Sequence, residues 1–327
     1  MDDTDRKIML LICEDPRMPF RELAKRLGIS RQAVHHRMQV LTNIGVFKSM
    51  PASISIHYLD GVNVMIFGRS KTASIEETLD RLGESEFTFR ACVAGGNYLY
   101  VIGFLRNISE LNGYFEFVKR VAEMPEPTVG IVCYFDGMNP DYYDGGKRKQ
   151  IYKKLSPLDL KIIASLRDDA RKPISEIADN VGVSIKTVRR HLENMRSEGS
   201  LDFDEPWDPT SGADMFTVMH VNLRDGADKV KVARRLYAKD PIHIILFRSF
   251  SNVPGFLLGL LSSDKMSEIR KLLREIGEDE AVLAVTPNLL YLERMYLTWD
   301  TKLLLADLTC PSEKIRKRPL RSGRRTR

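Results

Sequence analysis

The chain repeats itself at a distance of 154 residues. Asp5, Lys7 and Ile8 return as Asp159, Lys161 and Ile162. Asp15, Arg17, Pro19, Glu22, Ala24, Gly28, Ser30, Val34 and Gly45 return as Asp169, Arg171, Pro173, Glu176, Ala178, Gly182, Ser184, Val188 and Gly199. A chain of 327 residues exceeds one ordinary core,. Whatever fold the first copy adopts, the second must approximate it.

The repeated unit has the pattern of a helix-turn-helix. Ile8, Leu11 and Ile12 suit an amphipathic first helix over residues 3–14, ended by Asp15-Pro16,. A second helix is expected from about Pro19 to Leu27, with Phe20, Leu23, Ala24 and Leu27 inward,. Gly28 supplies the turn, Ile29 plugs it, and Ser30 is a good N-cap for a third helix over residues 30–43,. Val34, Met38 and Leu41 mark the buried face of that helix,. Its other face carries Arg31, Gln32, His35, His36 and Gln39; Arg and Gln are suited to base edges, and Arg37 is placed for a phosphate,. Gly45 ends the helix, and Val46-Phe47-Lys48 begins an extended wing. The candidate DNA-contacting residues are Arg21, Ser30, Arg31, Gln32, His35, His36, Arg37 and Lys48. The second copy offers Lys186, Thr187, Arg189 and Arg190.

Each copy is followed by alternating strands and helices. Strands are expected at 62–67, 87–93, 98–104 and 129–135, with helices marked by Ile75, Leu79 and Leu82 and by Leu111, Tyr114, Phe115 and Val118,. The order is βαββαβ, an antiparallel sheet with helices on one face. The second half follows it through strands at 216–223, 242–247, 256–261 and 281–285. An apolar segment, 289–305, has no counterpart in the first half, and packing across domains accounts for it best. The fold class is therefore α+β. Its expected layout is a winged helix-turn-helix at 1–60, a βαββαβ domain at 61–137 and a linker at 138–155. A second winged unit at 156–210, a second βαββαβ domain at 211–308 and a basic disordered tail at 309–327 complete it.

Charge divides the chain further. Residues 311–327 hold Lys314, Arg316, Lys317, Arg318, Arg321, Arg324, Arg325 and Arg327 against Glu313 alone. The tail thus carries more than the whole chain's net +6, and a polycation of this kind holds phosphate backbone without reading sequence. The reading units differ too. Residues 17–48 carry Arg17, Arg21, Lys25, Arg26, Arg31, Arg37 and Lys48 against Glu22. Residues 171–202 carry Arg171, Lys172, Lys186, Arg189, Arg190 and Arg196 against Glu176, Asp179, Glu193, Glu198 and Asp202, and Asp204, Glu205 and Asp208 follow. Acid beside phosphate is repulsive, so the first unit is expected to carry most DNA affinity. Different recognition residues favour an asymmetric site, and a homodimer of chains would restore a palindrome.

Several chemistries lack their residues. Cys13, Cys92, Cys133 and Cys310 form no Cys-x-x-Cys pair and read as reduced thiols,. There is no Gly-x-x-x-x-Gly-Lys loop and no His-Glu-x-x-His motif, so neither cofactor nor metal is expected,. No run of about 18 apolar residues and no signal-peptide pattern occurs, which points to a cytoplasmic protein with no membrane association.

Taken in order, these residues resemble the leucine-responsive/asparagine-regulator (Lrp/AsnC) family of prokaryotic transcription regulators. The resemblance covers about residues 3–135 and again 156–286, and the tandem layout is similar to archaeal relatives. It implies double-stranded DNA as partner and RAM-type βαββαβ domains that bind a small effector, such as an amino acid, and pair through their sheets. Here that pairing would be an intrachain pseudo-dimer. Ala94-Gly95-Gly96-Asn97-Tyr98-Leu99-Tyr100 resembles the family's glycine-containing turn before an aromatic strand. Gly95, Gly96, Asn97 and Tyr98 are accordingly the implied effector residues, and turn geometry explains the glycines as well. Residues 249–255 replace that turn in the second half with a longer loop.

Two other readings stand beside this one. Sirohaem decarboxylases use the same two-domain plan and would need histidine and arginine in the βαββαβ cleft. His57, His220, His243, Arg90 and Arg248 exist, but no Trp-Pro-Tyr segment of the kind associated with that family does. A sensing or assembly protein with decayed DNA-binding units is the other alternative.

Overall fold

A computed structural model describes residues 1–47, 50–133, 155–203, 214–302 and 304. Both copies of the repeat build three helices by the same local rules. In the first, α1 (Asp3–Glu14) starts from a capping box between Asp2 and Asp5. Next, α2 (Phe20–Leu27) ends at Gly28, whose φ of 67° is left-handed and open to glycine without strain,. The third helix, α3 (Arg31–Asn43), is capped by Ser30, which accepts from the Ala33 N–H at 3.0 Å,. Ile8, Met9, Ile12, Leu23, Val34, Met38 and Leu41 fill the space between them. Met9 takes the place expected of Leu11, which is only half-buried.

A short strand, β1 (Ala52–Ile54), follows. Among the described residues it pairs with no strand of its own half. Its antiparallel partner is β6 (Leu201–Phe203) of the second half. Ala52 and Ile54 lie in the second unit's core, among Ile162, Ile177, Val188 and Leu192. The residues expected to finish the first unit therefore complete the second.

The first βαββαβ unit is β2 (Val62–Arg69), α4 (Ile75–Leu82), β3 (Thr88–Ala94), β4 (Tyr98–Leu105), α5 (Leu111–Val121) and β5 (Thr128–Cys133). The second winged unit holds α6 (Pro157–Ser165), α7 (Ile174–Val181), α8 (Ile185–Glu198) and β6. It repeats the Ser-cap and left-handed Gly182 of the first. The second βαββαβ unit is β7 (Met215–Leu223), α9 (Lys229–Tyr237), β8 (Ile244–Phe250), β9 (Phe256–Ser263), α10 (Met266–Gly277) and β10 (Val282–Met295).

The two sheets close one barrel in the order β10-β3-β4-β2-β5-β8-β9-β7. Each sheet therefore has two apolar faces. Ala91, Val93, Leu99 and Val101 pack under α4 and α5, while Cys92, Ala94, Tyr100 and Ile102 turn into the barrel,. Fully burying a side chain such as Leu99 contributes about 1.5–3 kcal/mol.

The chain closes the barrel with a strand much longer than the expected 281–285. From Val282 to Leu289 β10 pairs with β7 of its own half, and from Leu290 to Met295 it pairs with β3 of the other. Beyond it, the Trp299 indole N–H donates to the Phe104 carbonyl at 2.9 Å, and Leu304 enters the second winged unit's core. The segment with no first-half counterpart thus joins three domains. The expected linker at 138–155 falls almost wholly, and the basic tail at 309–327 wholly, outside the described residues.

Candidate nucleic-acid interface and effector turn

The outer face of α3 is open. Arg31, Gln32, His35 and His36 are exposed, as is Ser30 at the cap, and Arg21 is exposed on α2. The buried Val34, Met38 and Leu41 alternate with them at helical spacing,. On α8, Lys186, Arg189 and Arg190 are exposed, while Thr187 is half-buried with its hydroxyl 2.9 Å from that of Ser184. Lys48 falls outside the described residues.

Arg37 is differently placed. Its Nη1 donates to Asp2 Oδ2 and Asp5 Oδ1, each at 2.7 Å. These carboxylates hold its pKa above the ordinary value. The second unit repeats the tie at the equivalent positions, with His191 Nδ1 2.6 Å from Asp159 Oδ1. In both copies this site joins the third helix to the first. Its charge is already compensated before any phosphate arrives.

Subtracting such pairs changes the charge comparison. In the first unit Arg17 serves backbone carbonyls and Arg26 reaches Glu14 and Glu22. Arg21, Lys25 and Arg31 remain exposed, with no hydrogen bond or ion pair among the described residues. The second unit keeps Lys186, Arg189 and Arg190, so the exposed cations are nearly matched. The acids are not: Glu176, Asp179 and Glu193 are all exposed, and Asp179 stands where the first unit has Lys25.

The first unit is docked by charge. Arg6 is only 1% exposed. Its Nε donates to Asp214 Oδ2 at 2.9 Å, and Nη2 donates to Asp214 Oδ1 at 3.2 Å and to Asp264. Both aspartates belong to the second βαββαβ unit, at the start of β7 and the end of β9. The matching residue in the second winged unit is Leu160. Nothing in the sequence joins residues more than 200 positions apart.

The turn at residues 95–97, between β3 and β4, lies at the barrel mouth. Gly96 and Asn97 both have positive φ, 69° and 55°, so glycine freedom is used at the first of them,. Gly95 and Gly96 are exposed, and Asn97 and Tyr98 are half-buried. The turn is tied on both sides, from Gly95 N–H to the Leu289 carbonyl at 3.1 Å and from Ser70 N–H to the Asn97 carbonyl at 2.8 Å.

Behind Tyr98 lies a polar group that sequence reasoning did not assemble. The Tyr100 hydroxyl is 2.7 Å from His220 Nε2 and accepts from Asn288 Nδ2 at 2.8 Å. Phe67, Tyr98 and Phe256 pack around the His220 ring at centroid distances of 5.8, 5.3 and 5.5 Å. Burial pushes the His220 pKa down to about 4 and the Tyr100 pKa up, so both are neutral near pH 7,. The other histidines are elsewhere. His57 lies in the turn after β1, and His243, just before β8, sits 2.9 Å from Asp240 Oδ2. Arg90 lies 3.7 Å from Glu293. Among the described residues no cluster of His, Cys, Asp or Glu is arranged to hold a metal ion. No helix among them is long and apolar enough to cross a membrane.

Comparison with known proteins follows the internal repeat. A family model for winged helix-turn-helix DNA-binding domains matches residues 1–48 and again 155–199. The transcriptional regulator Ptr1 of Methanocaldococcus jannaschii is 32% identical over 133 residues, 40% of this chain and 86% of its own length. The regulator FL11 of Pyrococcus furiosus is 27% identical over 37% of this chain and 82% of its own. Over the whole length, the chain is similar in fold to the sirohaem decarboxylase NirDL. The TM-score is 0.57 at 15% identity, covering 94% of this chain and 99% of that one. By its paired reading helices, its βαββαβ units and its identity to Ptr1, this chain belongs to the Lrp/AsnC-type family of winged helix-turn-helix transcription regulators.

Proposed function

We propose that this protein is a sequence-specific DNA-binding transcription regulator. It reads duplex DNA chiefly through α3 and answers to a small-molecule effector, an amino acid or similar metabolite, at the barrel mouth. One observation carries the reading: Arg31, Gln32, His35 and His36 form an exposed face on a helix anchored by its buried face, and no internal partner covers Arg31 or Gln32 among the described residues. Arginine and glutamine present paired donors to base edges in the major groove, Arg to guanine and Gln to adenine. Arg21 and Lys25, exposed on α2, supply phosphate contacts,. On α8, Lys186, Thr187, Arg189 and Arg190 do the same beside three uncompensated acids, so the second unit reads more weakly,. Two unlike readers in one chain select an asymmetric site, and two chains together select a palindrome.

The effector reading rests on Gly95, Gly96, Asn97 and Tyr98. Gly95 and Gly96 are exposed beside the half-buried Asn97, and Tyr98 leads inward to Tyr100 and His220. The apolar cluster that contains these aromatics runs without a break into the core of the first winged unit, through Met9 and Ile12. The second winged unit has a separate core. An effector that shifts the aromatics therefore reaches the first reader more directly.

Selection of bound fragments from a random duplex library tests the proposal. Recovery of a shared motif whose affinity falls steeply with salt supports it. Failure to retain any duplex at low salt ends it. Because the NirDL fold carries decarboxylase chemistry, the purified protein's visible spectrum is the second arm: tetrapyrrole absorbance without DNA retention would favour the enzyme reading.

A further inference from the structure

The two winged units touch through their first turns, between α1 and α2 and between α6 and α7. There Arg17 and Arg171, at equivalent places in the repeat, make equivalent bonds. Arg17 donates to the Ala170 carbonyl and, at 2.9 Å, to the Lys172 carbonyl. Arg171 donates to the Pro16 and Met18 carbonyls at 2.6 and 2.8 Å. Each guanidinium straddles the residues flanking its counterpart, so the same patch meets itself across a pseudo-twofold. Asp15 and Asp169 fix the two turns by accepting the Arg17 and Arg171 backbone N–H at 3.0 and 2.7 Å. Asp15 also takes Arg196 from the end of α8, at 3.0 Å.

This contact needs explanation. Two like charges share a largely desolvated seam, and desolvation followed by mutual repulsion pushes the Arg17 pKa down. Four carbonyl bonds and the field of Asp15 and Asp169 offset that repulsion. The seam also connects to a recognition helix. The Arg171 guanidinium lies 4.9 Å from the Phe20 ring centroid, and Phe20 meets the His35 ring edge-on at 5.7 Å. His35 is on the outer face of α3. The antiparallel pairing of β1 with β6 is a second, independent tie between the halves.

We infer that Arg17 and Arg171 are positioning residues for DNA reading, a clasp that holds α3 and α8 at one separation so that the chain engages two half-sites of one spacing as a rigid body. This rests on the DNA-binding reading. It also lets the second unit's weak contacts count, because a tethered and oriented weak reader acts at high effective concentration.

Two measurements separate the clasp from that reading. Spin labels at positions 39 and 193, exposed on α3 and α8, report the helix separation in a chain freed of its native cysteines. A narrow distance distribution that broadens in R17A/R171A supports the clasp, and an unchanged distribution overturns it whatever DNA does. On duplexes selected by the unmodified chain, inserting five base pairs between half-sites should weaken the native protein about tenfold, about 1.4 kcal/mol. In R17A/R171A that penalty should largely vanish. A folded variant that keeps the full penalty overturns the inference. Failure of the unmodified chain to select any duplex would instead overturn the functional reading. Should the alanine variant not fold, R17K/R171K serves, since an ammonium lacks the rigid fork that spans two carbonyls.

Discussion

The two winged units share a fold and differ in how they are held. The first is fixed to the opposite βαββαβ unit by a buried charge, Arg6 between Asp214 and Asp264. The second has Leu160 at that place; β1 of the other half and Leu304 enter its core, and Arg171 and Arg196 bond it to the first unit's turn. The difference teaches that duplication conserved the reading motif and let the docking diverge. A charged dock is directional and depends on partners staying ionised. The surfaces diverged as well, chiefly through acids gained by the second unit rather than cations lost.

The largest expected effect breaks the charged dock. Arg6→Met strips the buried Asp214 of its guanidinium and leaves it the N-terminal ammonium at 2.9 Å, and removing one member of such a buried pair costs up to about 3–5 kcal/mol. Chemical denaturation should show that loss, whereas Leu160→Met should change little. Equal losses would erase the distinction between the docks. Next come the readers. Arg31→Ala should weaken binding to a selected duplex by about 1–3 kcal/mol, the discrimination of one bidentate base contact. Arg189→Ala should cost less, and equal costs in a gel-shift titration would remove the asymmetry. Smaller still are the caps, which sharpen the comparison by being alike. Ser30→Ala and Ser184→Ala should each lower stability by about 1 kcal/mol, whatever their effect on DNA,.

The last prediction concerns the barrel, where His220 on β7 packs against Phe67 and Phe256. The folded-state pKa of His220 lies below its usual 6.5, at about 4. The unfolded chain therefore binds more protons between those values. The stability that the neutral ring contributes is complete above pH 6.5 and is lost as pH falls toward 4. His220→Phe should flatten this part of the stability profile between pH 7 and 5. A slope unchanged by the substitution would refute the assignment.

Much of the local structure was legible. Ser30 and Gly28 bracket α3 because a hydroxyl cap and a left-handed glycine are short-range demands that the sequence states directly. A strand at 87–93 was legible too, but not that both its faces are covered, since Cys92 turns into a barrel made by two sheets while Ala91 and Val93 pack under helices. The site was less readable. Arg37 looks like a phosphate ligand until α1 brings Asp2 and Asp5 within 2.7 Å. Tyr100, His220 and Asn288 come from three strands, and Asn288 lies in a segment without periodic meaning until β10 closes the barrel.

The sequence by itself determined the duplicated helix-turn-helix, the helix ends and the order of strands, because each rests on interactions a few residues apart or on a repeated pattern. Only the tertiary structure decided which half completes which. The crossing of β1, the span of β10, the Arg6 dock and the Arg17–Arg171 clasp join residues 130 or more positions apart. Their energy comes from removing carbonyls, guanidinium groups and apolar faces from water together, and no local pattern records which distant partner will do so.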